Sequence, residues 1–254
     1  VSAPRRIWLT GASSGIGQAM AARLLAAGHR VALSARRAEP LQALAERYPL
    51  QALVLPGDLT DAAAVAGMAE VIGVQWGALD QAILNAGTCE YIEAGRFDAA
   101  LVERVVRSNL IAPAYCIEAA LPLLLRGDRP HLVGVGSSVT WLPLPRAEAY
   151  GASKAGLRYL LQALRLDLAA QGVDVTLVSP GFVDTPLTRR NDFPMPMRWP
   201  VERAAQHILE RLEQQPLEIA FPAPFIAGLR LLSWLPARLQ FAIGRRLARP
   251  DSHG

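Results

Sequence analysis

The 254 residues carry 26 lysines and arginines against 22 aspartates and glutamates, a net charge of +4 at neutral pH. At 52% hydrophobic and 19% charged the chain can bury a sizeable core, which excludes a disordered or fibrous protein. The arginines are dispersed rather than massed on one segment, which argues against nucleic acid as a partner, and the length fits one large α/β domain or two small ones.

In chain order, residues 7–10 read as a strand, followed by a glycine-rich turn and a helix that Gly28 ends. Strands at 31–34, 52–55 and 81–84 alternate with helices at 40–48 and 61–72. A long helix over 99–125 leads to a strand at 131–135, and a second long helix over 149–170 leads to a strand at 173–178. A last strand is expected at 217–221. Wholly apolar strands alternating with helices predict α/β architecture: a doubly wound, seven-stranded parallel sheet of the Rossmann type, helices on both faces and ligands at the carboxyl ends of the strands. The catalytic domain is placed at 1–222, with a substrate loop at about 186–200, and a C-terminal extension at 223–254.

Cys89 and Cys116 show no CxxC spacing, and His29, His131, His207 and His253 are scattered, so no metal site is expected and the thiols read as reduced. Residues 1–6 run straight into a strand without a leader, and no apolar run reaches the roughly eighteen residues of a membrane span. A cytoplasmic protein is expected, with a question over its C-terminus.

Thr10-Gly11-Ala12-Ser13-Ser14-Gly15-Ile16-Gly17 stands where a strand becomes a helix. Gly11 permits the tight turn, Gly15 lets backbone approach a pyrophosphate, and Gly17 allows close packing; the helix N-terminus favours the phosphates. The next strand ends Ser34-Ala35-Arg36-Arg37 with no carboxylate before Glu39. Sheets that bind NAD place an acid there for the ribose 2′-hydroxyl. Arg36, backed by Arg37 and the Ser13 and Ser14 hydroxyls, suits a 2′-phosphate instead, so the cofactor expected is NADP(H). Asp58-Leu59-Thr60 and Asn85-Ala86-Gly87 end the third and fourth strands, where an adenosine would lie; Asp58 also reads as a helix cap, and the second segment as a plain turn.

Lys154 is the only lysine and follows Tyr150 by one helical turn. A phenol beside a fixed ammonium about 5 Å away would be a proton donor lowered by about two pKa units at an effective dielectric near 20. The plainer reading of the pair is an exposed helix contact.

Together these segments resemble the short-chain dehydrogenase/reductase family over roughly residues 5–190. The resemblance implies that Gly11, Ser13, Ser14, Gly15, Ile16 and Gly17 bind pyrophosphate, that Asp58 and Leu59 lie near the adenine, and that Asn85, Ala86 and Gly87 form the family's Asn-Ala-Gly segment. Leu84 stands where a second asparagine is usual. It makes Tyr150 the acid/base, Lys154 its partner and a holder of the nicotinamide ribose, and Asn109 the residue orienting a water from Lys154 to solvent. Pro180, Gly181, Val183 and Thr185 would meet the nicotinamide amide. The family's serine, thirteen residues before the tyrosine, falls on Ser137, with Ser138 as the alternative. The activity implied is alcohol–carbonyl interconversion by hydride transfer, and pairing through the two long helices implies a homodimer or homotetramer.

The stretch after Thr185 carries Phe193, Met195 and Trp199, which with Trp141 and Leu142 are candidate walls for an apolar substrate; ordinary loop packing accounts for them equally. Arg230, Arg238, Arg245 and Arg249 fall within a third of a helix circumference, opposite Leu232, Leu235, Leu239 and Ile243, although Pro236 must break or bend that helix. Packing on the pocket or on a second subunit, and peripheral contact with an anionic membrane, are both compatible with this pattern. Rival functions are an epimerase or dehydratase on the same scaffold, a non-catalytic NADP(H) sensor and a membrane-surface scaffold.

Overall fold

The computed structural model describes residues 4–93, 96–191 and 193–247. Expectations placed on residues 1–3, His253, Arg249 and the tail to Gly254 lie outside the described residues.

The chain begins β1 (Arg6–Thr10), α1 (Gly15–Ala26), β2 (Arg30–Ala35), α2 (Glu39–Arg47), β3 (Ala52–Pro56), α3 (Ala62–Trp76) and β4 (Gln81–Leu84). It continues with α4 (Ala99–Val106), a π-helical stretch (Arg107–Ile111), α5 (Ala112–Leu124), β5 (His131–Val135), a 3₁₀ turn (Ser138–Trp141) and α6 (Glu148–Ala169). The remainder is β6 (Asp174–Pro180), a 3₁₀ turn (Thr188–Arg190), α7 (Val201–Leu212), β7 (Glu218–Phe221), α8 (Ala223–Ser233) and α9 (Ala237–Leu247). The strands form one parallel sheet in the order β3-β2-β1-β4-β5-β6-β7, the doubly wound arrangement expected. No helix among the described residues is long and apolar enough to cross a membrane.

Local chemistry sets the boundaries. Gly28 takes φ +89° after α1, and the amides of Gly28 and His29 return to the Leu25 and Leu24 carbonyls, a Schellman closure. Asp61, not Asp58, caps α3 by accepting from the Ala63 and Ala64 amides. Asp58 instead binds the Thr60 amide and hydroxyl, both at 2.9 Å, and so folds its own turn.

The sheet is packed on both faces. One layer joins Trp8, Ile72, Leu79, Leu124, Leu132 and Leu161; the other joins Ile7, Met20, Leu25, Leu33, Ile208 and Phe221. The N-terminal edge is tied by Asp80, which takes a salt bridge from Arg6 at 2.6 Å and the amides of Arg6 at 2.7 Å and Asp128 at 2.8 Å. His131 is fully buried between Gln81 and Thr176, and burial pushes it down to about 3, so it stays neutral.

Two expectations change here. The helix predicted over 99–125 is interrupted by the π stretch. Pro113 has no N–H to give to the carbonyl four residues back, which belongs to Asn109, so the α-helical register fails there. Helix α7 was not expected; its proline-rich approach reads as loop, yet Ala204, Ala205, Ile208 and Leu212 form a buried stripe at helical spacing.

Candidate active site

The cofactor end is built by close approach of backbone to backbone. Gly11 and Gly15 adopt φ +70° and +55°. A Cβ on Gly17 would sit 2.2 Å from the Gly11 carbonyl oxygen and 2.4 Å from Asn85 Nδ2, and one on Gly11 would sit 2.8 Å from Ala86 Cα. Thr10 Oγ1 accepts the Asn85 and Ala86 amides at 3.1 Å, and Asn85 Nδ2 donates to the Thr10 and Gly11 carbonyls, so the glycine turn and the Asn85 segment are one unit. No side chain caps α1 at Ser14, which leaves the amides of its first turn to a ligand. This glycine cradle beside an uncapped helix N-terminus fits a dinucleotide pyrophosphate.

At the end of β2, Arg36 and Arg37 are exposed; Arg37 reaches the Ser13 carbonyl at 3.3 Å, and Arg36 lies near enough to Asp58 to help lower its carboxyl. Ser13, Arg36, Arg37 and Asp58 therefore gather at one corner of the cradle. Leu59 and Val183 bury their side chains in the core, so only their backbone is available to a cofactor. Pro180 ends β6, and Gly181 packs its amide on the Phe221 carbonyl at 2.7 Å. Thr185 exchanges hydrogen bonds with Thr188, and its methyl would lie 3.2 Å from a Cβ on Gly15, bringing that turn against the glycine loop.

Tyr150, Lys154 and Ser153 project from the first turns of α6 towards the end of β5. The Tyr150 phenol and the Ser137 hydroxyl lie close enough to interact, whereas Ser138 is buried in the 3₁₀ turn. Ser137 also accepts the Val139 amide at 3.2 Å, which fixes its rotamer. Lys154 is 4% exposed and donates to the Val135 carbonyl at 2.8 Å; a Cβ on Gly87 would lie 3.3 Å from its Nζ. Asn109, fully buried, donates to the Thr88 carbonyl (2.9 Å) and Ser153 Oγ (3.0 Å) and accepts the Thr88 amide (2.8 Å). Both amide hydrogens are thus spent on holding the loop after β4 to α6.

The electrostatics correct one expectation. Burial pushes the Tyr150 phenol up to about 12, with Cys89 adding to the rise and the Ser137 hydroxyl opposing it. Lys154 is not among the groups that offset this; its ammonium donates to the Val135 carbonyl, and burial pushes it down to about 8. Tyr150 is therefore a fully protonated donor at neutral pH. Cys89, half-buried beside Tyr91, also joins this cluster, with its thiol raised by burial. Neither Cys89 nor Tyr91 was singled out in the sequence; both follow Gly87 within four residues, the only signal that could have flagged them.

An aromatic row extends from the cluster around Tyr150. Tyr91 meets Phe193 edge-on at 5.6 Å, Phe193 meets Phe182 at 6.1 Å, and Phe182 meets Phe225 of α8 at 5.5 Å. Met195 is half-buried in the same loop and accepts a contact from Asn191 Nδ2 at 3.5 Å. Trp141 lies under two guanidiniums, Arg158 at 5.0 Å and Arg230 at 5.1 Å, and Glu218 binds both arginines and Ser179. Leu142 beside it is buried.

Trp199 is elsewhere. It stacks on Phe221 at 4.9 Å, meets His207 edge-on and is covered by Arg203 at 4.0 Å. It lines a cavity of about 560 Å³ with Met197, Arg203, His207 and Pro224, to which Tyr150 does not contribute. The aromatic pairing holds Trp199 against Phe221 of β7, outside the row that runs from Tyr91 to Phe225. No cluster of metal-ligating side chains occurs among the described residues.

Comparison with known proteins agrees with this geometry. The sequence pattern of the family described as short chain dehydrogenase matches residues 5–193. An uncharacterised oxidoreductase of Myxococcus xanthus is 34% identical over 246 residues, 96% of this chain and 97% of the relative. A short-chain dehydrogenase structure from Streptomyces avermitilis superposes with a TM-score of 0.84 at 24% identity, covering 96% of this chain and 98% of the other. A Pseudomonas aeruginosa structure, described as an RhlG/NADP active-site complex, gives 0.80 at 28% identity over 88% of this chain and 97% of its own.

Proposed function

The chain belongs to the short-chain dehydrogenase family and is an oxidoreductase, and on that premise we propose that it is an NADP(H)-dependent enzyme interconverting an apolar carbonyl compound and its alcohol. The observation that carries the reading is the convergence of the Tyr150 phenol and the Ser137 hydroxyl beside the buried Lys154. A substrate oxygen placed between the two hydroxyls accepts a hydrogen bond from Ser137 and a proton from Tyr150. Bound NADPH supplies the hydride.

The chain's own residues do the rest. The elevated phenol keeps the donor form that carbonyl reduction requires through neutral pH. Asn109 locks the loop after β4, and with it Gly87, against α6. Its main-chain carbonyl, left without an α-helical partner by Pro113, is available to a water on the way to Lys154. The glycine cradle holds pyrophosphate, and Arg36 and Arg37, with no acid at the strand end, suit a 2′-phosphate. The NADP complex of the Pseudomonas aeruginosa relative supports that choice. The row Tyr91, Phe193, Phe182 and Phe225 gives the cleft an apolar wall and supports a hydrophobic substrate.

The test is NADPH oxidation, followed by absorbance, against aliphatic and aromatic aldehydes, ketones, keto-steroids and ketoacyl thioesters. Turnover of an apolar carbonyl, faster with NADPH than with NADH, is expected. Conversion without net consumption of cofactor would instead favour an epimerase or dehydratase. Binding of NADPH with every property unchanged in Tyr150→Phe would favour a sensor.

A further inference from the structure

We propose that α8 and α9 form a docking surface for an anionic lipid bilayer. The root of this hairpin is fixed to the catalytic body: Ile226 is buried, Phe225 packs on Phe182, and Arg230 reaches Glu218 at 3.1 Å while lying over Trp141. Beyond that root the apolar side chains turn outward. Leu231 is 66% exposed, Trp234 85%, Leu239 51% and Phe241 67%. Pro236 separates the two helices, and Gln240 folds α9 back by donating to the Ser233 and Leu235 carbonyls at 3.0 and 2.8 Å. The single arginine stripe expected from the sequence is thereby split: Arg230, half exposed, is tied to Glu218, and Arg238 and Arg245 are exposed on α9.

Charge identifies the occupant. From residue 219 to 247 the chain has four arginines and no aspartate or glutamate; Glu218 pairs with Arg230, which leaves Arg238, Arg245 and Arg246 as the segment's excess positive charge. An exposed tryptophan, phenylalanine and leucines interspersed with arginines is the composition that sits at the headgroup–acyl boundary. Arg245 lies 6.0 Å from the Phe241 ring centroid, so its stem and the ring can enter that boundary together. A second copy of the chain would bring an equal positive charge against this one, and like charges across an interface oppose association. An anionic bilayer supplies both the negative surface and the apolar depth. Because α8 also flanks the aromatic row, the surface faces a compartment into which an apolar substrate partitions; that last point rests on the proposed function, whereas docking does not.

The experiment is co-sedimentation of the full chain with large vesicles of phosphatidylcholine alone or enriched in phosphatidylglycerol, at low and raised salt. The variants are Trp234→Ser with Phe241→Ser, and Arg238→Gln with Arg245→Gln, all at exposed positions, with folding checked by circular dichroism. Pelleting is expected only with phosphatidylglycerol, weakening with salt and falling about fivefold for each arginine removed. The apolar pair should abolish pelleting while mass by sedimentation equilibrium stays constant. No pelleting with phosphatidylglycerol, or pelleting that both folded variants retain, overturns the proposal. A fall in mass of the apolar variant also overturns it, assigning the face to a second copy.

Discussion

The glycine turn of residues 11–17 and the stretch from Phe182 to the end of α9 are built by different physics. The first is built from backbone: positive-φ glycines, Thr10 and Asn85 fastening one loop to the next, and no room for even a methyl group at Gly17. The second is built from side chains, with Phe182, Phe193 and Phe225 in a row, an arginine laid over Trp199, and exposed apolar groups at its far end. Backbone-defined sites leave little freedom in what they bind. A wall of rings can be repacked one residue at a time, so cofactor choice should resist mutation while substrate choice drifts.

The sharpest way to break the contrast is Gly17→Ala. Its Cβ would meet a backbone carbonyl that cannot swing aside, so NADPH binding should be lost, with roughly 1–3 kcal/mol of stability; calorimetric titration and thermal melting read both. Asp80→Asn probes the frame rather than the site and should remove about 3 kcal/mol. Burial raises the Asp80 carboxyl, but Arg6 and two amides more than reverse this, so it lies below its ordinary 3.8. A depressed carboxyl stabilises above its unfolded pKa, and that contribution fades as pH falls through the folded value. Urea melts between neutral and acidic pH should therefore show wild type converging on Asp80→Asn in acid.

Arg36→Ser should weaken NADPH by roughly tenfold to a hundredfold, from one or two charge-assisted bonds, and leave NADH nearly untouched. Equal losses for both nucleotides would remove Arg36 as the phosphate reader. The smallest effect expected is Glu218→Gln, which loosens Arg158 and Arg230 over Trp141. KM for a bulky substrate should rise about threefold to tenfold, the scale of one hydrogen bond, with kcat nearly unchanged. A fall in kcat alone would move the clamp from shaping the cleft to organising Tyr150.

The two regions also differed in how much their sequences disclose. Strands buried on both faces announce themselves as apolar runs, and β5 was expected at its observed limits, because nothing but hydrophobicity and length decides them. The glycine turn and the Tyr150–Lys154 spacing were equally legible, since each is local. What stayed hidden depends on distant partners. Trp199 is drawn to Phe221 and His207, Cys89 enters the cluster only because the loop after β4 folds over α6, and Lys154 donates to the distant Val135 carbonyl. The π stretch lies between: Pro113 was visible, but its effect on the Asn109 carbonyl follows only once a helix is known to run through both.

The most direct test of Tyr150 as proton donor is a comparison of wild type with Tyr150→Phe, measuring NADPH affinity and turnover of the best carbonyl substrate in the same buffer. Equal affinity with turnover reduced by roughly 10²–10⁴-fold is predicted, the usual contribution of a positioned general acid. A Tyr150→Phe enzyme that binds NADPH and reduces the substrate at the wild-type rate would contradict the assignment.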